Sequence, residues 1–212
     1  MQPMPPLNAV VDISHYNRDP DFTAARQGGI VGVIHKATQG ADGVDPTYAA
    51  NHAQAQAAGL MWGAYHFATG DDPQAQARHF LAVAGADPGT LLALDLEHNP
   101  TGSSMSLDQA RTFLTAVQQA TGRYPGLYGG SYLKELLGGN ADPILAQCWF
   151  WLAEYGPIPH VPGAWPTWTL WQYTDGAFGP EPHTVAGVGR CDRDLFNGDI
   201  SQLQRLWGAP AP

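Results

Sequence analysis

Short apolar runs recur along this chain, and the early ones are separated by longer stretches of helical composition. The first four lie at residues 8–13 (N-A-V-V-D-I), 30–35 (I-V-G-V-I-H), 60–67 (L-M-W-G-A-Y-H-F) and 90–97 (T-L-L-A-L-D-L-E). The second and fourth are almost continuously apolar, as expected of strands covered on both faces. Further runs at 126–129, 148–153 and 167–173, with a short piece at 189–192, complete eight. Between them, residues 47–58, 74–84 and 107–120 read as helices. Asp-Pro pairs at Asp19, Asp45, Asp72 and Asp142 are start signals: Asp caps free amides, and Pro at the first helical position loses no hydrogen bond. Ser106 and Gln109 fit a capping box, Gly122 a stop, and Leu107, Ala110, Phe113, Leu114 and Val117 one apolar stripe.

Strand alternating with helix predicts a parallel sheet with helices outside. With 212 residues, the chain has room for one domain and about eight strands. The expected fold is therefore α/β, a single irregular TIM-like (β/α) barrel over residues 9–207, with flexible tails at 1–8 and 208–212. The later segments, rich in the chain's 18 Pro and 25 Gly, are too short for full helices. A net charge of −9 disfavours nucleic acid and anionic membrane surfaces as partners. No apolar run approaches the ~20 residues that span a bilayer. The opening M-Q-P-M-P-P holds neither a basic region nor an apolar stretch, so no signal peptide is expected. The two cysteines, Cys148 and Cys191, fall in different strands and read as free buried thiols. A monomer is expected.

In such a barrel the chemistry sits at the carboxyl ends of the strands. The fourth run ends in Asp95 and Glu97, which share one face of a strand with Cα atoms roughly 6–7 Å apart. Two such carboxylates repel, and one holds its proton to higher pH, placing a proton donor beside an anion. Taken alone, D-x-E equally suits a solvated strand end. The other strand ends add Asp12, Tyr65, His66, Tyr128, Trp151, Tyr155, Trp171, Gln172, Tyr173 and Asp192. Each aromatic alone suits a core, and Asp12 a structural role. Together they suit a cleft in which rings stack on sugar faces and acids bind hydroxyl and amide groups. His66, Asp95, Glu97 and His98 include metal-ligand types, but no H-E-x-x-H pattern joins them, and neither metal nor cofactor is expected. A G-x-S-x-G elbow and a phosphate loop are absent.

At these residues the sequence resembles glycoside hydrolase family 25, the lysozymes or N-acetylmuramidases. The matching segments are V-V-D-I-S-H-Y-N, I-H-K-A-T-Q-G, A-A-G-L-M-W-G-A-Y-H-F, L-A-L-D-L-E, W-L-A-E-Y, L-W-Q-Y-T-D-G and C-D-R-D-L-F-N-G-D, in the family's order from about Val10 to Asp199. The resemblance implies a flattened β/α barrel that hydrolyses the β-1,4 bond between N-acetylmuramic acid and N-acetylglucosamine in peptidoglycan strands. It implies Glu97 as general acid, Asp95 as its partner, and Asp12 and Asp192 as further acids. It places Tyr65, Tyr128, Trp151, Tyr155 and Gln172 along the groove, to which His66 and Tyr173 are added here as substrate-binding candidates. Asp95 either stabilises an oxocarbenium-like state or orients the substrate's 2-acetamido group for attack. Two departures stand out: Gln39 where Glu is frequent, and Asp194 where Asn is usual. Alternatives are a non-catalytic glycan-binding barrel and a metal-dependent glycan deacetylase. The expected setting is the bacterial cell wall, reached after lysis by a phage-type endolysin, through a secretion machine, or as part of a particle.

Overall fold

A computed structural model of the chain describes residues 5–208. Its first half alternates strand and helix: β1 (Leu7–Ile13), α1 (Phe22–Gln27), β2 (Gly32–Gln39), β3 (Gly43–Val44), α2 (Tyr48–Ala57), β4 (Met61–Phe67), α3 (Pro73–Ala84), β5 (Leu91–Asp95) and α4 (Leu107–Thr121). Then follow β6 (Gly126–Gly129), α5 (Ser131–Leu137), β7 (Phe150–Ala153), β8 (Leu170–Thr174), β9 (Thr184–Val185), β10 (Gly189–Arg190), β11 (Asp192–Phe196) and α6 (Ile200–Leu206). Eight strands close a barrel in the order β1-β11-β8-β7-β6-β5-β4-β2, with β2 returning to β1. β3 is a hairpin arm on β2, and β9 pairs with β10 outside the barrel.

Side-chain alternation divides the apolar residues into two layers. Val10, Ile34, Leu91, Ala93, Tyr128, Trp151, Leu170 and Phe196 point inward and pack as one cluster. Their sequence neighbours, among them Val11, Val33, Leu92, Leu94, Leu127 and Phe150, point outward and pack in a second cluster with helix residues such as Phe80, Phe113 and Val117. Trp207, just after α6, joins the inner cluster at the amino-terminal end of the barrel, and its Nε1 donates to the Trp62 carbonyl at 2.8 Å. Gly32 gives that indole room, since a Cβ there would stand 3.1 Å from the ring.

Several helix signals act as the sequence suggests. Asp72 caps α3 with Pro73 in its first turn, Ser106 and Gln109 form a capping box on α4, and Gly122 ends α4 in the left-handed conformation at φ 77°. Others differ. Asp21, not Asp19, caps α1. Asp45 accepts from Thr47 and His15 in the loop before α2, and Asp142 caps only a 3₁₀ turn while pairing with Arg111. The eighth barrel strand is Asp192–Phe196, beyond the expected piece at 189–192, and runs antiparallel to both β1 and β8. Of the expected tail at 1–8, Leu7 and Asn8 belong to β1, and residues 1–4 lie outside the described residues. At the other end Gly208 closes a turn on Arg205, and the rest of the expected tail lies outside the described residues. Cys148 and Cys191 are free and buried, and burial pushes both thiols up to about 12.

Candidate active site

Inward parity carries Asp12, Tyr65, Asp95, Tyr128, Trp151, Gln172 and Asp192 to the carboxyl-terminal mouth of the parallel strands. With Glu97, Tyr155 and Asp175 they line a cavity of about 230 Å³. A neighbouring hollow of about 490 Å³ shares Glu97, Tyr128 and Tyr155 and adds Tyr132 and Lys134. On another side, a hollow of about 460 Å³ begins at Lys36 and runs between Gln39–Asp45 and the Asn99–Ser103 loop.

Asp95 ends β5, and Leu96 stays in register because its amide donates to the Tyr128 carbonyl at 3.0 Å. Leu96 is buried on the outer side, so Glu97 returns to the face of Asp95. Asp95 is buried, and its Oδ1 meets no donor among the described residues. Burial raises its pKa well above the carboxylate norm, and the Glu97 charge raises it further, against the pull of Lys36. Burial also raises Glu97, again opposed by Lys36. The pair therefore retains a proton at pH values where isolated carboxyls have lost theirs. The Lys36 ammonium is held by Gln39 Oε1 at 2.6 Å and lies 4.7 Å from the centre of the Phe67 ring.

Across the cavity, Gln172 ties three elements together. Its Oε1 accepts from the hydroxyls of Tyr128 and Tyr155, each at 2.8 Å, and its Nε2 donates to Asp12 Oδ2 at 2.8 Å. Asp12 stands directly opposite Asp192 in the β1–β11 ladder. Burial and the Asp194 charge raise Asp12, while burial and the Asp12 charge push Asp192 up to about 9. Trp151 sits edge-on to Tyr128 at 4.8 Å and donates from Nε1 to Asp194 at 2.6 Å.

Two candidates belong elsewhere. His66 follows inward Tyr65 and so points outward. It is fully buried between barrel and helices, bonded to Thr38 Oγ1 and Gln76 Oε1, and burial lowers its pKa to about 4. Tyr173 likewise follows inward Gln172. Its hydroxyl accepts from Asn8 Nδ2 and donates to the Pro182 carbonyl, away from the cavity. His98 packs tilted against Tyr132 at 4.4 Å, and among the described residues no group of three or more His, Cys, Asp or Glu side chains is placed to hold a metal ion. Two residues were missed. Lys36 stands on β2 two positions beyond inward Ile34, so parity pointed to it. Asp175 lies past the end of β8, where parity gives no guidance, and its Oδ1 accepts from the amides of Ala177 and Phe178.

Residues 11–180 match the family described as glycosyl hydrolases family 25. Lysozyme M1 of Streptomyces globisporus is 34% identical over 92% of this chain and 70% of its own length. The N,O-diacetylmuramidase of Arthroderma benhamiae is 31% identical over 92% of this chain and 84% of its own. Among solved structures, the bacterial lysozyme from Streptomyces coelicolor superposes with a TM-score of 0.83 at 32% identity, covering 96% of this chain and 97% of that one. A family 25 lysozyme from Aspergillus fumigatus gives 0.81 at 32% identity, covering 94% and 98%. With this barrel, these inward acids and these relatives, the chain belongs to glycosyl hydrolases family 25.

Proposed function

We propose that this hydrolase is a lysozyme that cleaves the β-1,4 bond between N-acetylmuramic acid and N-acetylglucosamine in peptidoglycan, with Glu97 as the proton donor. The observation that carries the reading is the Asp95–Glu97 pair, which retains a proton at the edge of a cavity walled by tyrosines and a tryptophan. Glu97 is the less buried of the two and borders two adjoining hollows, so a glycan lying across them brings its bridging oxygen to Glu97. As that oxygen takes the Glu97 proton, the bond to the anomeric carbon breaks and positive charge develops on the sugar. With the pair's proton on Glu97, the Asp95 carboxylate accepts the 2-acetamido N–H, and the acetamido oxygen closes onto the anomeric carbon. Glu97, now a carboxylate, takes a proton from the water that reopens this ring. Asp12 and Asp192 bind sugar hydroxyls, and Tyr65, Tyr128, Trp151, Tyr155 and Gln172 shape the groove.

The names of the relatives, a lysozyme and a muramidase, support this substrate. A binding-only barrel has no use for a buried acid pair, and a metal-dependent deacetylase has no converging ligand set among the described residues. The protein acts as a monomer on the bacterial wall, delivered by lysis or by a secretion machine. No helix among the described residues is long and apolar enough to cross a membrane. Digestion of purified peptidoglycan with mass analysis of the new chain ends tests the reading. Reducing muramic acid is expected, and reducing glucosamine or intact, merely deacetylated strands would overturn it.

A further inference from the structure

The barrel interior holds an acid that the mechanism above does not use. Asp194 lies on β11, fully buried, directly opposite Gln172 on β8 and Val10 on β1. Asp12 is two positions beyond Val10 on the same inward face, which makes it the diagonal neighbour of Asp194. Facing inward on neighbouring strands, the Asp12 carboxyl stands diagonally across from that of Asp194 and directly across from that of Asp192, and both neighbours act on its proton. The outer donors of Asp12 and Asp194 are accounted for: Trp151 Nε1 serves Asp194 Oδ1, and Gln172 Nε2 serves Asp12 Oδ2. Asp194 Oδ2 is left buried with no N–H or O–H to meet it among the described residues. Two carboxylates facing each other at the buried floor of the cavity would set acceptor against acceptor and charge against charge. One proton between them removes both conflicts.

We propose that Asp194 is a positioning residue that shares a single proton with Asp12, fixing the Asp12 carboxyl toward the cleft floor. The proposal rests on the lysozyme reading for the use made of Asp12, but the shared proton itself does not. Asn at this position would supply an N–H to Asp12 without titrating. Asp at this position achieves the same contact only while the proton is bound.

The surroundings favour retention of that proton. From β1 comes Asp12; from β11, Asp192 and Arg193; from the residue before β11, the Cys191 thiol; from β8, Gln172 and the Tyr173 hydroxyl; from β7, the Trp151 indole. Arg193 is the one cation among them. It points outward, donating to the Thr184 carbonyl and Asn8 Oδ1, so it neutralises neither acid directly. Burial pushes Asp194 up to about 8, with Trp151 opposing and the Asp192 charge adding to the rise. Above that range the interior gains a second negative charge, and Asp12 is repelled from its place.

The test is Asp194→Asn beside the native enzyme, read in two ways. Thermal unfolding across pH addresses the proton. An acid whose folded pKa is raised loses stability as pH rises from the unfolded value, about 4, to the folded one. The variant lacks this loss, so its melting temperature should pull ahead of the native one progressively up to about pH 8 and then run parallel. The second readout is the ratio of variant to native kcat/KM on peptidoglycan. Titration of Glu97 is common to both and cancels. The ratio should stay within about twofold at acidic pH and rise roughly tenfold for each pH unit above the point where the native pair loses its proton. A melting difference that is flat with pH, a variant that fails to fold, or a constant activity ratio would each overturn the proposal. If the native enzyme releases no reducing ends, the lysozyme reading fails, while the melting difference still decides whether the proton is shared.

Discussion

At the scale of single residues, one step along a strand separates a groove residue from a core residue. Tyr65 and Gln172 face the cavity; His66 and Tyr173, adjacent to them, do not. The same alternation that paired Asp95 with Glu97 in the sequence should have excluded both neighbours. A histidine and a tyrosine at strand ends have the chemistry of a groove, but their parity turns them away from it. Gln172 bonds three groove side chains at once, so its loss should be costly. Replacement by Leu leaves the Tyr128 and Tyr155 hydroxyls without their acceptor and Asp12 without its donor. Each uncompensated group costs about 1–3 kcal/mol, so kcat/KM should fall on the order of 10²-fold or more. Steady-state hydrolysis of soluble glycan fragments checks this. His66 makes a different prediction. Its folded pKa of about 4 lies below the unfolded value, so the stability it confers is complete above about pH 6.5 and is lost as pH falls toward 4. In His66→Gln that part of the acid slope in urea midpoint should vanish, with KM unchanged.

At the scale of elements, legibility followed local chemistry. Asp72-Pro73, Ser106 with Gln109, and Gly122 each satisfy terminal helix groups through side chains or conformations that neighbouring sequence fully specifies. Asp45 and Asp142 carry the same Asp-Pro signal but are recruited by distant partners, His15 and Arg111, which no local window contains. Ser106→Ala should cost about 1 kcal/mol of stability, as other N-cap losses do. The inner core depends on a larger contribution from outside the strands. Trp207 is 1% exposed and caps the barrel against Gly32. Trp207→Ala should cost about 3–5 kcal/mol, measured by denaturant unfolding, and should leave groove affinity intact in the fraction that remains folded.

At the scale of the whole molecule, the alternation of strand and helix is enough to foresee a closed barrel, and its inward acids gather at one mouth. The alternation does not foresee the direction of the last strand. β11 follows a β9–β10 hairpin rather than a helix, so the chain returns antiparallel beside β1 and β8. That reversal brings Asp192 and Asp194 in from the far end and faces them with Asp12. The result is a concentration of acids that share one interior. Asp12, Asp95, Glu97, Asp192 and Asp194 all have raised pKa values, chiefly through burial. Each retains a proton in the fold longer than in the unfolded chain, so together they make stability fall as pH rises from about 4 toward 9. Asp45 and Glu154 act in the opposite sense. Burial raises each, but hydrogen bonds from His15 and Thr47, and from His160 and Lys134, outweigh it and lower the pKa. Their contribution is present above the unfolded carboxylate range and is lost as pH falls below it. A stability maximum at mildly acidic pH is therefore expected, with the urea midpoint lower at pH 9 than at pH 6.

The account's central claim is that a protonated Glu97 starts the cleavage. It is tested most directly by the rate at which Glu97→Gln releases reducing ends from purified peptidoglycan, measured beside its unfolding curve. The amide keeps the shape and loses the transferable proton. The rate should drop by about 10²–10⁴-fold or more with unfolding essentially unchanged. A correctly folded variant that still hydrolyses within a few fold of the native rate would contradict the claim.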